Sequence, residues 1–274
     1  MPWPTGGASP NPDLLIEGAG IFYFDRFDTA KNATGLLDVG NSERLELTTD
    51  DTRIQKFSSR SKGRPLYKDS LQRRAVTLRV TLDEFSPDNV ALMLQASIAA
   101  SIAQAATAVV AEPLTPALNG VKLGGSYKTA KIGPITAVTV NKGGVPLVLD
   151  TPTVAGDYRI ANASLGIIHI LTDPVTGTLV DGDDLTIDYT PTAYASGFTQ
   201  ISGGTEGQVL GSGLYVSDNT EGPNMMIEFW QLIAKPDGAI GFISDDFATM
   251  GLQFAVQDDS LNHPDSPLYR VTYL

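Results

Sequence analysis

Glu43-Arg-Leu-Glu-Leu-Thr-Thr-Asp50 and Arg73-Arg-Ala-Val-Thr-Leu-Arg-Val-Thr-Leu-Asp-Glu-Phe85 both alternate apolar and polar residues. That is the period-two pattern of strands with one buried face. In the second stretch Val76, Leu78, Val80 and Leu82 share one face, and Ala75, Thr77, Arg79, Thr81 and Asp83 share the other. Between the two lies Phe57-Ser-Ser-Arg-Ser-Lys-Gly-Arg-Pro-Leu-Tyr-Lys-Asp-Ser70. With Gly63 and Pro65 as breakers and no apolar periodicity, it reads as a polar loop too long for a tight hairpin.

From Arg53 to Arg79 there are nine basic residues and one acid, Asp69, a net of +8 in a chain whose formal charge is −12. A basic arm therefore sits on an acidic body. It is either a solvated excursion or a contact element for an acidic surface on another copy, in which case head-to-tail repetition gives rings or filaments. Downstream, Ser86-Pro-Asp-Asn89 is a helix start: Ser86 can cap, Pro87 suits the first position, and Asp88 faces the positive end of the dipole. Val90, Leu92, Met93, Leu94, Ile98 and Ile102 then recur at near-helical spacing, predicting a helix of about four turns packed on the apolar face of the strands.

Outward from this region, residues 1–13 read as a proline-rich N-terminal arm and Glu17–Phe27 as an aromatic strand. Residues 112–125 read as a linker. Strands are expected at Ile135–Asn141, Asp157–Asn162, Gly166–Thr172 and Asp184–Tyr189, evenly spaced between turn residues, so 126–195 is expected to be an inserted small β-sandwich. Gly213–Ser217, Met225–Ala234, Ala239–Ile243, Thr249–Gln257 and Leu268–Leu274 read as the strands of the returning parent domain, 14–125 with 196–274. The fold class is mainly β: a two-sheet sandwich or barrel, one flanking helix and the insert.

The 27 glycines, 17 prolines and 42% apolar residues suit such a fold, and the absence of cysteine excludes disulfides, thiolate catalysis and cysteine-held zinc. The start of the chain lacks a signal-peptide pattern, and no run has the length of a membrane span, so synthesis in the cytoplasm without a membrane partner is expected. A pI near 4.5 argues against tight nucleic-acid binding. His169 and His263 are the two histidines. His263-Pro-Asp-Ser266 lacks the separate elements and glycine elbow of a triad, and Asp181-Gly-Asp-Asp184 and Asp258-Asp259 lack a calcium-loop pattern. Asp245-Asp246 lacks the second flank that a glycosidase carboxylate pair needs, and Gly203-Gly-Thr-Glu-Gly207 lacks the lysine of a phosphate loop. No enzymatic role, metal or cofactor is expected.

The order of strand, basic loop, strand and Ser-Pro-Asp-Asn-capped helix resembles the major tail tube proteins of long-tailed bacteriophages. Gly222-Pro-Asn-Met-Met-Ile-Glu-Phe-Trp-Gln-Leu-Ile233 with Lys235-Pro-Asp-Gly238, and Asn262-His-Pro-Asp-Ser-Pro-Leu-Tyr-Arg270, are similar to the second half of that family. The likeness covers about 14–110 and 196–274. It implies a virion protein, made in the host bacterial cytoplasm, that forms stacked hexameric rings of a tail tube. Neighbouring sheets would join edge to edge, and viral DNA would pass through without sequence-specific binding. Further implied partners are the tape measure, tail terminator and tail tip or baseplate proteins. The resemblance assigns Arg60, Lys62, Arg64, Tyr67, Lys68, Arg73 and Arg74 to an inter-ring contact loop, and His263, Pro264, Asp265, Pro267 and Tyr269 to a C-terminal contact segment. The insert is expected to decorate the exterior of a non-contractile tail. The alternative is a carbohydrate-binding or adhesive β-protein of a phage or bacterial surface.

Overall fold

The computed structural model describes residues 12–98, 102–114, 120–177, 179–243 and 245–274. All but the last two positions of the N-terminal arm lie outside the described residues. The chain is mainly β and divides into two compact units, residues 1–99 with 201–274 and residues 100–200.

The first unit is built on an antiparallel sheet of eight strands. Its first half supplies β1 (Gly20–Arg26), β2 (Leu37–Asp38), β3 (Ser42–Phe57) and β4 (Leu66–Leu82). The second half supplies Val209–Ser217, Met225–Pro236, Met250–Val256 and Tyr269–Tyr273. The order runs β2, β1, Val209–Ser217, Met225–Pro236, Met250–Val256, β4, β3, with Tyr269–Tyr273 also paired to Met225–Pro236. The ladder does not close, and β3 lies at one end of it.

The alternation of β4 is realised in three dimensions: Val76, Leu78, Val80 and Leu82 are all buried, while Ala75 and Arg79 face water. Leu78, Val80 and Leu82 share one core with Phe22, Phe24, Phe229, Leu232 and Phe254. Phe254 meets Phe22 at 5.6 Å and Phe24 at 5.1 Å between ring centroids. Burying side chains of this size contributes about 1.5–3 kcal/mol each.

Helix α1 (Pro87–Met93) is capped as expected, with Ser86 Oγ accepting from the Asn89 amide at 3.2 Å. The buried Asn89 side chain donates to the carbonyls of Val39 and Glu84 at 2.7 and 3.0 Å, tying the helix start to the sheet. Leu92 and Met93 enter the sheet's core. The helix is about two turns long, not four. Gln95 turns left-handed at φ 47° and the Ala96 amide bonds the Ala91 carbonyl at 2.8 Å, which closes the last turn. Ser97–Ile98 then pairs with Ile201–Ser202, and Ile102–Gln104 pairs with Tyr194–Phe198. The β-branched residues at helical spacing thus serve strands, and residues 99–101 lie outside the described residues.

The second unit has a four-stranded sheet, Val145–Pro146, Ile135–Lys142, Leu185–Pro191 and Val109–Pro113, and a three-stranded one, Tyr158–Asn162, Ile167–Ile170 and Ser126–Lys128. Both feed a core around Tyr158, Ile168, Ile170, Leu185, Ile187 and Tyr189. The four strands expected here are present. The expected linker at 112–125 begins inside a strand instead, because Glu112 and Pro113 pair with Ile187 and Thr186. Positions 115–119 of that span lie outside the described residues.

Candidate assembly surface

The basic stretch is a ribbon, and this corrects the expected loop. β3 and β4 stay paired from Ser42 and Leu82 out to Phe57 and Leu66, leaving residues 58–65 as the connection. Only Val76–Leu82 of β4 also pairs with Met250–Val256. Beyond Val76 the two strands continue alone as an exposed arm, about 30 Å long for the ten residues Leu66–Ala75. Gly63 at φ 91° and Arg64 at φ 40° turn the tip.

Within the arm the register interrupts the ladder twice. Gln72 is unpaired between Thr52↔Arg73 and Arg53↔Leu71, and Tyr67 is unpaired between Lys56↔Lys68 and Phe57↔Leu66. Such bulges twist a free ribbon and re-aim a side chain; Tyr67 is 74% exposed. Between them, alternation separates two chemically different faces. One carries Asp51, Arg53 and Gln55 with Arg74 and Asp69 and neutralises itself. Arg74 holds Asp51 through two bonds at 2.9 and 3.1 Å, and Arg53 reaches Asp51 at 3.7 Å and Asp69 at 3.5 Å. The Arg74 hydrogen bond holds the Asp51 carboxyl below the usual carboxylate range and pushes the guanidinium up.

The opposite face carries Thr52, Ile54 and Lys56 with Arg73, Ser70 and Lys68, and Asp50 at its base is its one acid. Lys56 and Lys68 stand directly opposite each other, an arrangement that destabilises a strand pair. Of the seven arm residues singled out from the sequence, Arg74 is therefore engaged within the arm. Lys68 and Arg73 share the basic face, Tyr67 sits at a bulge, and Arg60, Lys62 and Arg64 occupy the tip.

The C-terminal segment forms a clasp. Tyr269–Tyr273 pairs with Met225–Phe229 and Met250–Val256 pairs with Leu232–Pro236, so Trp230 and Gln231 fall between two partner strands. Residues 257–268 lie there, anchored by Asp259, which is buried rather than solvated. Its carboxylate accepts from Asn262 Nδ2 at 2.8 Å and Gln231 Nε2 at 3.3 Å, and lies 2.7 Å from His263 Nδ1. His263 stacks on Trp230 with centroids 3.7 Å apart, and Trp230 Nε1 donates to the Ser266 carbonyl at 2.7 Å. Arg270 lies over Trp230 at 5.0 Å and bonds Glu228 at 2.8 Å, which pushes its pKa up. Tyr269 packs against Phe229, while Pro264, Asp265 and Pro267 are loop residues, the first two exposed. The carboxylate facing His263 is thus Asp259, not Asp265. The partners Trp230, Gln231 and Asp259 escape sequence inspection because no local spacing joins them.

Residues 237–249 connect the central strands at the Leu82 end of β4, where Met250 pairs with Leu82. Ala239–Ile243 is not a strand. Its one inward residue is Ile240, while Phe242, Ile243 and Phe247 are 73%, 98% and 95% exposed. Gly238, at φ 94°, and Gly241 supply no side chain to hold a ladder here. His169 bonds Ser126 Oγ at 3.0 Å within the second unit.

Among the described residues no cluster of three or more His, Cys, Asp or Glu could hold a metal ion, and no helix is long and apolar enough to cross a membrane. A family model described as "Protein of unknown function UCP028589" matches residues 15–270. No curated protein matches the chain.

Proposed function

We propose that this chain, which belongs to the UCP028589 family, is a self-assembling structural protein, the subunit of a phage tail tube built from stacked rings. The observation that carries the proposal is the projecting arm with one uncompensated basic face on a chain of net charge −12. A like-charged pair directly opposite across a ribbon weakens the ribbon by itself, and an acidic partner relieves it. The open eight-stranded ladder adds a second reason, since joining its ends to neighbouring copies satisfies backbone groups left at an edge. The same assembly would meet the tape measure, terminator and tip proteins at its ends, and a net acidic wall would let DNA slide rather than hold it.

Negative-stain electron microscopy of the purified chain, beside sedimentation across a concentration series, tests this. Rings or tubes of uniform diameter are expected. A monomer or trimer that persists at every concentration, and also in the presence of preformed tail tips, would refute the proposal and favour a carbohydrate-binding or adhesive β-protein.

A further inference from the structure

We infer that the basic face of the arm docks on residues 237–243 and 245–249 of a second copy of this chain. This inference rests on the assembly proposal and names the receiving surface. The two elements lie at opposite ends of β4: the arm leaves beyond Val76, and the 237–249 connection sits where Met250 pairs with Leu82. A contact between unlike ends of one sheet is heterologous, so each copy that receives an arm still presents its own.

The chemistry of the two surfaces is complementary twice over. The arm presents Lys56, Lys68 and Arg73, with Tyr67, 74% exposed, at the bulge beside Lys68. The connection presents Asp245 beside Phe242, Ile243 and Phe247, and positions 238–249 contain no Lys or Arg. At the connection's start Asp237 is already paired with Arg79 at 3.4 Å. Large apolar side chains left almost wholly in water next to acids mark an interaction surface. The matching aromatic and basic set on the arm supplies both its apolar cover and its counter-charge.

The absence of cysteine from the chain allows a direct test. Full-length Tyr67→Cys chains are mixed with full-length Phe247→Cys chains, or with Val175→Cys chains as a control in the second unit. Both partner positions are exposed, so the fold tolerates them. A disulfide forms only where Cα atoms approach within about 7 Å. Under mild oxidation the Tyr67→Cys and Phe247→Cys mixture is expected to give about tenfold more covalent heterodimer than the control, because docking raises the effective concentration. Adding Lys56→Glu and Lys68→Glu to the arm should abolish that excess, and adding Asp245→Lys to the partner should restore it. Rings in the microscope without the heterodimer would overturn this inference and leave the assembly proposal standing. Neither rings nor heterodimer would end both. Cross-linking insensitive to the arm charges would also overturn it, as would duplex DNA retained by Lys56 and Lys68 in the absence of any cross-link.

Discussion

Replacing Lys68 with glutamate separates the arm's own stability from its partner. In the isolated chain Lys56 and Lys68 oppose each other directly, and the arm's acids Asp51 and Asp69 are engaged on the other face. Lys68→Glu turns a repulsive cross-strand pair into an attractive one. Such pairs are worth about 0.2–1 kcal/mol either way, so the swing on this exposed ribbon is about 1 kcal/mol at low salt, or about fivefold in the local opening constant. Hydrogen exchange read by mass spectrometry on peptides spanning 50–57 and 66–75 is expected to slow by that factor. The difference should fade in about 1 M salt, where the Debye length falls to about 3 Å. Assembly, measured by sedimentation of the same samples, should fall in the opposite direction. A variant whose arm exchanges faster, or whose assembly is undiminished, would refute the assignment of Lys68 to an outward, partner-seeking face.

Phe254→Ala removes the ring that Phe22 and Phe24 pack against and should destabilise the first unit by about 3–5 kcal/mol, seen as a lowered urea midpoint. Asp259→Ala strips the acceptor from Gln231, Asn262 and His263. It should expose 257–268 to limited proteolysis while circular dichroism of the sheet stays unchanged. In the second unit the Lys142 hydrogen bond holds the Asp183 carboxyl below its ordinary 3.8. Because the folded pKa is the lower one, the pair's contribution is complete above about pH 4 and is lost as pH falls through the folded value. Asp183→Asn should therefore flatten the acid limb of a stability-against-pH curve below about pH 4 and lower stability near pH 7.

Sequence patterning revealed the elements that have an inside and an outside. β4 from Val76 to Leu82 separates buried from exposed residues, so its alternation was legible, as was the Ser86 cap. The arm was not legible as strand because both of its faces meet water. Without a buried face nothing forces apolar residues into alternate positions, and only the cross-strand ladder reveals the pairing. Helical spacing at Ile98 and Ile102 misled for a related reason: their backbones pair with strand partners from near residue 200. Phe242 and Ile243 imitated a strand core while lying in solvent. The Trp230, Asp259 and His263 clasp joins residues about 30 positions apart through side-chain stacking and hydrogen bonds, for which the intervening sequence carries no period.

The continuity of β4 from the arm into the sheet has a mechanical meaning. The strand that leaves the sheet beyond Val76 is the same one whose other half, Val76–Leu82, is zipped to Met250–Val256 on one side and to β3 on the other. A pull on the arm along its length loads those rungs together, in shear, so none can fail without its neighbours. A pull across the arm would open them one at a time. A chain of such subunits linked end to end by their arms is accordingly stiff against stretching and compliant in bending.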